Sequence, residues 1–307
     1  MKSYIDMLPE IQAALAAGTP VVALESTILS HGMPWPGNLG FAAEMEKTIR
    51  GEGALPATVA IIDGRIKVGL SRSELEQMCS SLNVGKVSRR DIPVYVSTLR
   101  TGATTVSATM LIAERAGIRV FATGGIGGVH RGGENSMDIS ADLQELAHTP
   151  VAVVCSGAKQ LLDMGRTLEY LETMGVPVIG NGTIEFPAFY CRDSGYKLDY
   201  AAKDEREIAK IINTKWAMGL SGGILVCNPI PHQFAMDFDD MEGVIDTARE
   251  AAEAANVHGK DLTPFMLNKI TELTGGESIR SNVQLAINNA RCAARIAAAM
   301  ALDIPQF

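Results

Sequence analysis

Short runs rich in Val and Ile recur along this chain between longer amphipathic or Ala-rich stretches, and this alternation constrains the fold more than any other feature. Strand-like and helix-like segments taking turns predict an α/β layered fold, a parallel or mixed sheet covered by helices. Predicted strands cover 21–24, 58–63, 94–97, 119–122, 151–155, 177–179, 187–191 and 224–227. Several are nearly all apolar, as strands buried on both faces are. Predicted helices cover 5–17, 39–50, 73–80, 105–116, 158–174, 203–218, 241–255, 264–273 and 281–300. Asp63-Gly64 between apolar runs predicts a hairpin turn. No repeat and no Pro/Ser-rich linker divides the 307 residues, so one continuous domain over 1–307 is expected. The last helix, with alanine at 286, 290, 293, 294, 297, 298 and 299, reads as a core or subunit-interface helix rather than a ligand site.

Charge narrows the partners. Lys and Arg number 27 against 35 Asp and Glu, a net −8, which speaks against a surface that neutralises polymeric nucleic acid or an anionic membrane. A local anion pocket remains compatible with it. The five cysteines are widely spaced without a Cys-x-x-Cys pair, the pattern of reduced thiols. The first ten residues carry Asp6, Pro9 and Glu10 instead of a basic start and an apolar run, and no stretch of about 18 apolar residues occurs. A soluble, cytoplasmic protein with no membrane partner is expected.

In parallel α/β sheets ligands gather outside the carboxyl ends of the strands, and four such corners carry unusual chemistry. Glu25 ends an apolar strand and is followed by Ser26, Thr27 and His31; it is a candidate general acid or base, or else a capping carboxylate. The stretch 123–133 holds six glycines together with His130 and Arg131, and suits a phosphate cradle or a flexible loop. It has neither the dinucleotide fingerprint nor the P-loop ending. Asp138-Ile139-Ser140-Ala141-Asp142 places two carboxylates around a potential helix cap, which fits a hard divalent cation, ligand hydroxyls, or plain capping. Lys159 falls in the first turn of the predicted helix 158–174, where the dipole and any desolvation favour a neutral amine able to attack a sugar aldehyde. An exposed, solvated lysine is the alternative. Lys86, beside Arg89 and Arg90, is a further candidate cation.

Five motifs occur together in this order: Glu25-Ser26-Thr27-Ile28, Gly85-Lys86-Val87-Ser88-Arg89-Arg90-Asp91, Phe121-Ala122-Thr123-Gly124-Gly125-Ile126-Gly127-Gly128-Val129-His130-Arg131, Asp138-Ile139-Ser140-Ala141-Asp142-Leu143 and Cys155-Ser156-Gly157-Ala158-Lys159. With Asn228-Pro229-Ile230-Pro231 and Ser281-Asn282-Val283-Gln284-Leu285, the chain resembles the pseudouridine-5′-phosphate glycosidases, related to the indigoidine synthase A-like proteins, over essentially its whole length. The resemblance implies a three-layer α/β/α fold with a central mixed, mostly parallel sheet, a homotrimer, and Mn2+-dependent, reversible cleavage of pseudouridine 5′-phosphate to uracil and ribose 5-phosphate. It implies Lys159 as nucleophile, Glu25 as proton donor and Asp138 as Mn2+ ligand. Substrate contacts would come from Lys86, Val106 and Ser140-Ala141-Asp142, with Thr123, His130 and Asn282 as further pocket residues. The departures, Thr98-Leu99-Arg100 and the 181–183 loop, lie outside these positions.

The implied chemistry suits the residue types. A C–C glycosidic bond does not break on protonation of a leaving oxygen, so paired carboxylates alone do not suffice. A Lys159 imine with the ring-opened sugar supplies the electron sink, and Asp142 is a candidate second proton carrier near the base. A relative acting on another C-ribosyl or sugar phosphate through the same imine is the competing enzyme. A non-catalytic sugar-phosphate module would have no need of Lys159 and Glu25.

Overall fold

The structure, a computed structural model, describes residues 1–257, 259 and 262–302. Among these residues the main sheet has eleven strands. The continuous row runs Ile5–Met7, Arg65–Val68, Leu55–Ile62, Val21–Leu24, Val120–Ala122, Ala152–Cys155, Ile224–Cys227, Val178–Asn181 and Tyr200–Ala202. From Leu55–Ile62 to Tyr200–Ala202 every pairing is parallel. The antiparallel Leu55–Ile62/Arg65–Val68 pair and the strand Gly102–Thr104, which carries Gly85–Val87 at its side, make the sheet mixed at one end. Helices Gly37–Gly51, Glu205–Ala217 and Glu277–Leu302 pack together in one layer, while Val106–Ala116 packs with Ala141–His148 in another. The fold is α/β/α, as expected.

Burial explains the sequence pattern. Strands Val21–Leu24, Ala152–Cys155 and Ile224–Cys227 are buried at every residue, so alternation would place polar groups in the core. The apolar side chains from Ile11 to Ala297 form one continuous cluster. Ala286, Ala290, Ala293 and Ala297 are buried against the sheet, and their small size lets the long helix cross close to the strands. Asp63 and Gly64 both take positive φ, the condition for a tight hairpin between paired strands. All five cysteines are buried and unbridged. No helix among the described residues is long and apolar enough to cross a membrane.

Four local expectations are corrected. Residues 94–97 are not a strand but part of helix Ile92–Ser97: Pro93 in its first turn fixes φ for a helix and has no N–H to give a sheet. Residues 5–17 split into strand Ile5–Met7 and helix Pro9–Ala16, because a residue before proline favours extended backbone and proline suits a helix start. Residues 187–191 form a tight turn with only isolated bridges, since Phe189 at φ 59° cannot continue a strand. Residues 158–163 are not helical. The helix begins at Met164, capped by the Asp163 carboxylate that accepts the Arg166 N–H at 2.9 Å.

Candidate active site

The polar residues that follow the central strands lie along one edge of the sheet, where parallel strands present their carboxyl ends. Glu25 follows Val21–Leu24, and its neighbours are stapled sideways. The Ser26 hydroxyl donates to the Val59 carbonyl at 2.7 Å, and the Thr27 hydroxyl donates to that of Thr104 at 2.8 Å. Glu25 caps no helix; its carboxylate accepts the Thr123 hydroxyl. A cavity of about 20 Å³ lies beside it, walled by Leu24, Leu29, Phe41 and Met45. Burial in these surroundings pushes the Glu25 pKa up, against the opposing pull of Lys159, the Thr123 hydrogen bond and Lys86, with Asp142 adding to the rise.

Lys159 sits on the irregular segment that precedes helix Met164–Thr173, so the dipole expected of a helix around it is absent. Its backbone N–H donates to the Ile126 carbonyl at 3.1 Å and its Nζ to the Gly125 carbonyl at 2.7 Å. The segment turns at Gly157, φ 75°, where a Cβ would overlap the Pro187 carbonyl. Only glycine can make that turn.

The glycine-rich loop departs from a free phosphate cradle. The Ile126, Gly127 and Val129 amides already donate to Gly157, Asp142 and Thr167 at 3.1, 2.8 and 3.0 Å. A Cβ at Gly125, Gly127 or Gly128 would strike Phe189, Ser140 or Thr167 respectively, so close packing accounts for several of the glycines. Arg131 is likewise engaged, donating to Glu242 at 2.8 Å and to the Gln160 carbonyl at 3.2 Å.

Ser140 caps helix Ala141–His148 as expected, accepting the Asp142 N–H at 3.2 Å. The buried Asp142 carboxylate accepts the Gly127 N–H and, at 3.0 Å, the N–H of Ser107. It thereby joins the glycine loop to the start of helix Val106–Ala116, whose first residue, Val106, is buried. Lys86, in strand Gly85–Val87, acts electrostatically on Glu25, His31 and His130 together. Burial pushes the His130 imidazole below its ordinary pKa, with Asp138 opposing and Lys86 and Lys159 reinforcing. The Asn282 Oδ1 is buried without a hydrogen-bond partner among the described residues, close to Gly124.

Glu25, Lys86, Thr123, His130, Asp142 and Lys159 are thus linked by direct bonds or by mutual electrostatic influence, with Val106, Ser140, Ala141 and Asn282 on the adjoining elements. The model for indigoidine synthase A like protein matches residues 10–299. This chain belongs to the indigoidine synthase A-like family. Family relatives include pseudouridine-5′-phosphate glycosidases of Hahella chejuensis, 56% identical over 97% of this chain and 99% of theirs, and of Caldanaerobacter subterraneus, 57% identical over 97% of each. The prealnumycin C-glycosynthase AlnA, solved with ribulose 5-phosphate, superposes with a TM-score of 0.90 at 37% identity over 97% of both chains. An indigoidine synthase A-like protein of Thermotoga maritima gives 0.87 at 34% identity over 95% of each.

Asp138 adjoins this cluster through His130. Its backbone carbonyl accepts the His130 N–H at 3.0 Å, and its carboxylate accepts no hydrogen bond from another described residue. No group of three His, Cys, Asp or Glu among the described residues forms a metal centre. One open carboxylate fits a hard cation such as Mn2+ that keeps most of its waters, and does not fit a closed zinc site. Sequence reasoning passed over Phe189, which seals Gly125, and Asn289, which is buried in the long helix. A non-glycine at positive φ leaves no mark in sequence, whereas an Asn seven places after Asn282 within an alanine stripe is a visible one.

Proposed function

We propose that this protein reversibly cleaves the C–C glycosidic bond of pseudouridine 5′-phosphate, giving uracil and ribose 5-phosphate. The observation that carries the reading is the pairing of Glu25 and Lys159. A carboxyl whose pKa is pushed up lies within the field of an amine, and both are held from the 123–125 backbone, through Thr123 and the Gly125 carbonyl. Relatives more than 50% identical across almost the whole chain bear the name of this activity.

In this reading protonated Glu25 gives its proton to the ring oxygen as the C1′–O bond opens, and its carboxylate then takes a proton from Lys159. The Lys159 amine bonds to C1′ and its surplus proton passes to Asp142. A proton delivered to C5 of the base, with Asp142 as carrier, lets the C1′–C5 electron pair return to uracil as the nitrogen forms an imine with C1′. Water hydrolyses the imine, freeing ribose 5-phosphate and Lys159. Lys86 and His130 are assigned to the phosphate side, and Val106, Thr123, Ser140, Ala141 and Asn282 to the sugar and base. Asp138 and waters would hold Mn2+, which would supply positive charge to position the phosphate. A homotrimer in the cytoplasm completes the proposal; sedimentation and cell fractionation test these two points.

The deciding experiment mixes the protein with pseudouridine 5′-phosphate and Mn2+ and follows uracil and ribose 5-phosphate. Absence of both across varied metal and pH would remove the proposal. The likeness to a C-glycosynthase solved with a pentulose phosphate favours one second reading, action on another C-ribosyl or sugar phosphate. Parallel assays with other C-nucleotides separate the two.

A further inference from the structure

One group of buried polar side chains has no part in the proposed chemistry. Asn289 is wholly buried on helix Glu277–Leu302, between Ala286, Ala290 and Ala293. Its Nδ2 donates to the Thr123 carbonyl at 2.8 Å and lies 3.2 Å from that of Gly124 and 3.1 Å from the Ser156 hydroxyl. Its Oδ1 accepts from Asn228 Nδ2 at 3.0 Å, and Asn228 Oδ1 in turn accepts from Asn181 at 3.1 Å. The Ser156 hydroxyl donates to the Asn228 carbonyl at 3.0 Å, and the Ser156 N–H donates to the Gly124 carbonyl at 2.9 Å. These bonds fix the amide's orientation, with donors toward the 123–124 backbone and acceptor toward Asn228. Helix-on-sheet packing alone would be served by another alanine or a leucine, without the need to satisfy a buried amide.

We propose that Asn289 is a positioning residue for the reaction. It fixes the backbone of residues 123–124 so that the Thr123 hydroxyl meets Glu25 and the next carbonyl, that of Gly125, meets Lys159 Nζ. Through Ser156 the same amide also holds the strand end from which the Lys159 segment departs. The proposal rests on the functional reading above for the roles of Glu25 and Lys159, and on hydrogen-bond geometry for the rest.

Its signature is electrostatic. Glu25 is faced by Lys159, Lys86 and Asp142 and by the Thr123 hydroxyl. If the 123–124 backbone relaxes, the carboxylate loses the Thr123 donor and Lys159 loses its Gly125 anchor, so two influences that lower the Glu25 pKa weaken while Asp142, which raises it, stays. Asp142 in particular is held by Gly127 and Ser107, which Asn289 does not touch. The Glu25 pKa then rises further.

The test compares wild type, Asn289→Ala, Thr123→Val and the double variant. One readout is a carboxyl-carbon NMR titration of Glu25, assigned with Glu25→Gln; the other is kcat and KM for pseudouridine 5′-phosphate across pH. Asn289→Ala should raise the Glu25 titration midpoint in the same direction as Thr123→Val, and the double variant should shift it by less than the sum of the two. It should lower kcat about tenfold or more while KM moves less than about threefold. A purely structural role would lower thermal stability and leave both the midpoint and the kcat of the folded enzyme near wild type, which would overturn the proposal, as would additive shifts in the double variant. If Asn289→Ala does not fold, Asn228→Ala, which releases the amide's orientation, is read by the same criteria. Wild type inactive on pseudouridine 5′-phosphate, with the Asn289–Thr123–Glu25 coupling intact in the titration, would sink the functional reading and leave the positioning role standing.

Discussion

The Nζ of Lys159 donates to the Gly125 carbonyl at 2.7 Å, so the amine is tied to the same loop backbone that orients the partner of Glu25. Lys159→Ala removes that bond at a half-buried, non-helical position and should leave the fold intact. Turnover should fall by several orders of magnitude, as loss of a covalent nucleophile causes. Borohydride with ribose 5-phosphate should add a reduced pentose phosphate to Lys159 in the wild type. An unmodified Lys159, or label on another lysine, would refute the imine.

The open carboxylate of Asp138 sets the metal prediction. EDTA should abolish most activity and Mn2+ should restore it. Asp138→Ala should need much more metal, because hard cations depend on anionic oxygen. A variant that responds to Mn2+ as the wild type does would take Asp138 out of the metal site.

Recognition of the phosphate should depend on Lys86 and not on Arg131, whose guanidinium is held by Glu242 and the Gln160 carbonyl. Pseudouridine lacking the phosphate should be poorer by about a hundredfold or more in kcat/KM, the loss of two charge-assisted contacts of about 1.5–3 kcal/mol each. Lys86→Ala should erase much of that difference, and Arg131→Ala should preserve it. Uridine 5′-phosphate should fail for another reason, since its bond runs through N1 and C5 protonation cannot release it. Equal rates for pseudouridine and its phosphate would show that no phosphate site exists.

Glu25 links pH to stability. Burial raises its pKa in the folded state, so the folded protein holds this proton more tightly than the unfolded chain. The associated stability is complete below the ordinary carboxylate range and is lost as pH rises through the raised value. Glu25→Gln should therefore gain stability relative to wild type as pH rises from mildly acid to neutral, while activity is lost. Denaturant titrations of both proteins at several pH values check this, and a constant difference would contradict it.

The layered fold was legible because buried parallel strands leave nearly continuous apolar runs, and 21–24 and 224–227 agree with the structure to the residue. Glu25, Asp142 and Lys159 could be singled out because they follow such strands or begin the next helix. What surrounds them was less legible. The 158–163 segment carries helix-compatible residues, but Asp163 caps a later start and Gly157 turns the chain away. The 123–133 stretch, Arg131 included, suits a phosphate cradle in sequence because Glu242, the arginine's partner, is remote along the chain. Asn289 meets Thr123 across 166 positions, a distance at which no local pattern reports.

Glu25, Thr123, Lys159 and Asn228 come from four strand ends whose alignment depends on Val21–Leu24, Val120–Ala122, Ala152–Cys155 and Ile224–Cys227 pairing in the observed register. Each side chain's height above the sheet is therefore set by hydrogen bonds made several residues below it. A slip of one residue in any of these ladders would displace one of these side chains by about 3.3 Å along its strand and turn the following residues to the opposite face. Catalytic competence in this protein is a vernier on strand alignment: chains with native helix content and a closed core but one misread ladder would be compact, soluble and inert.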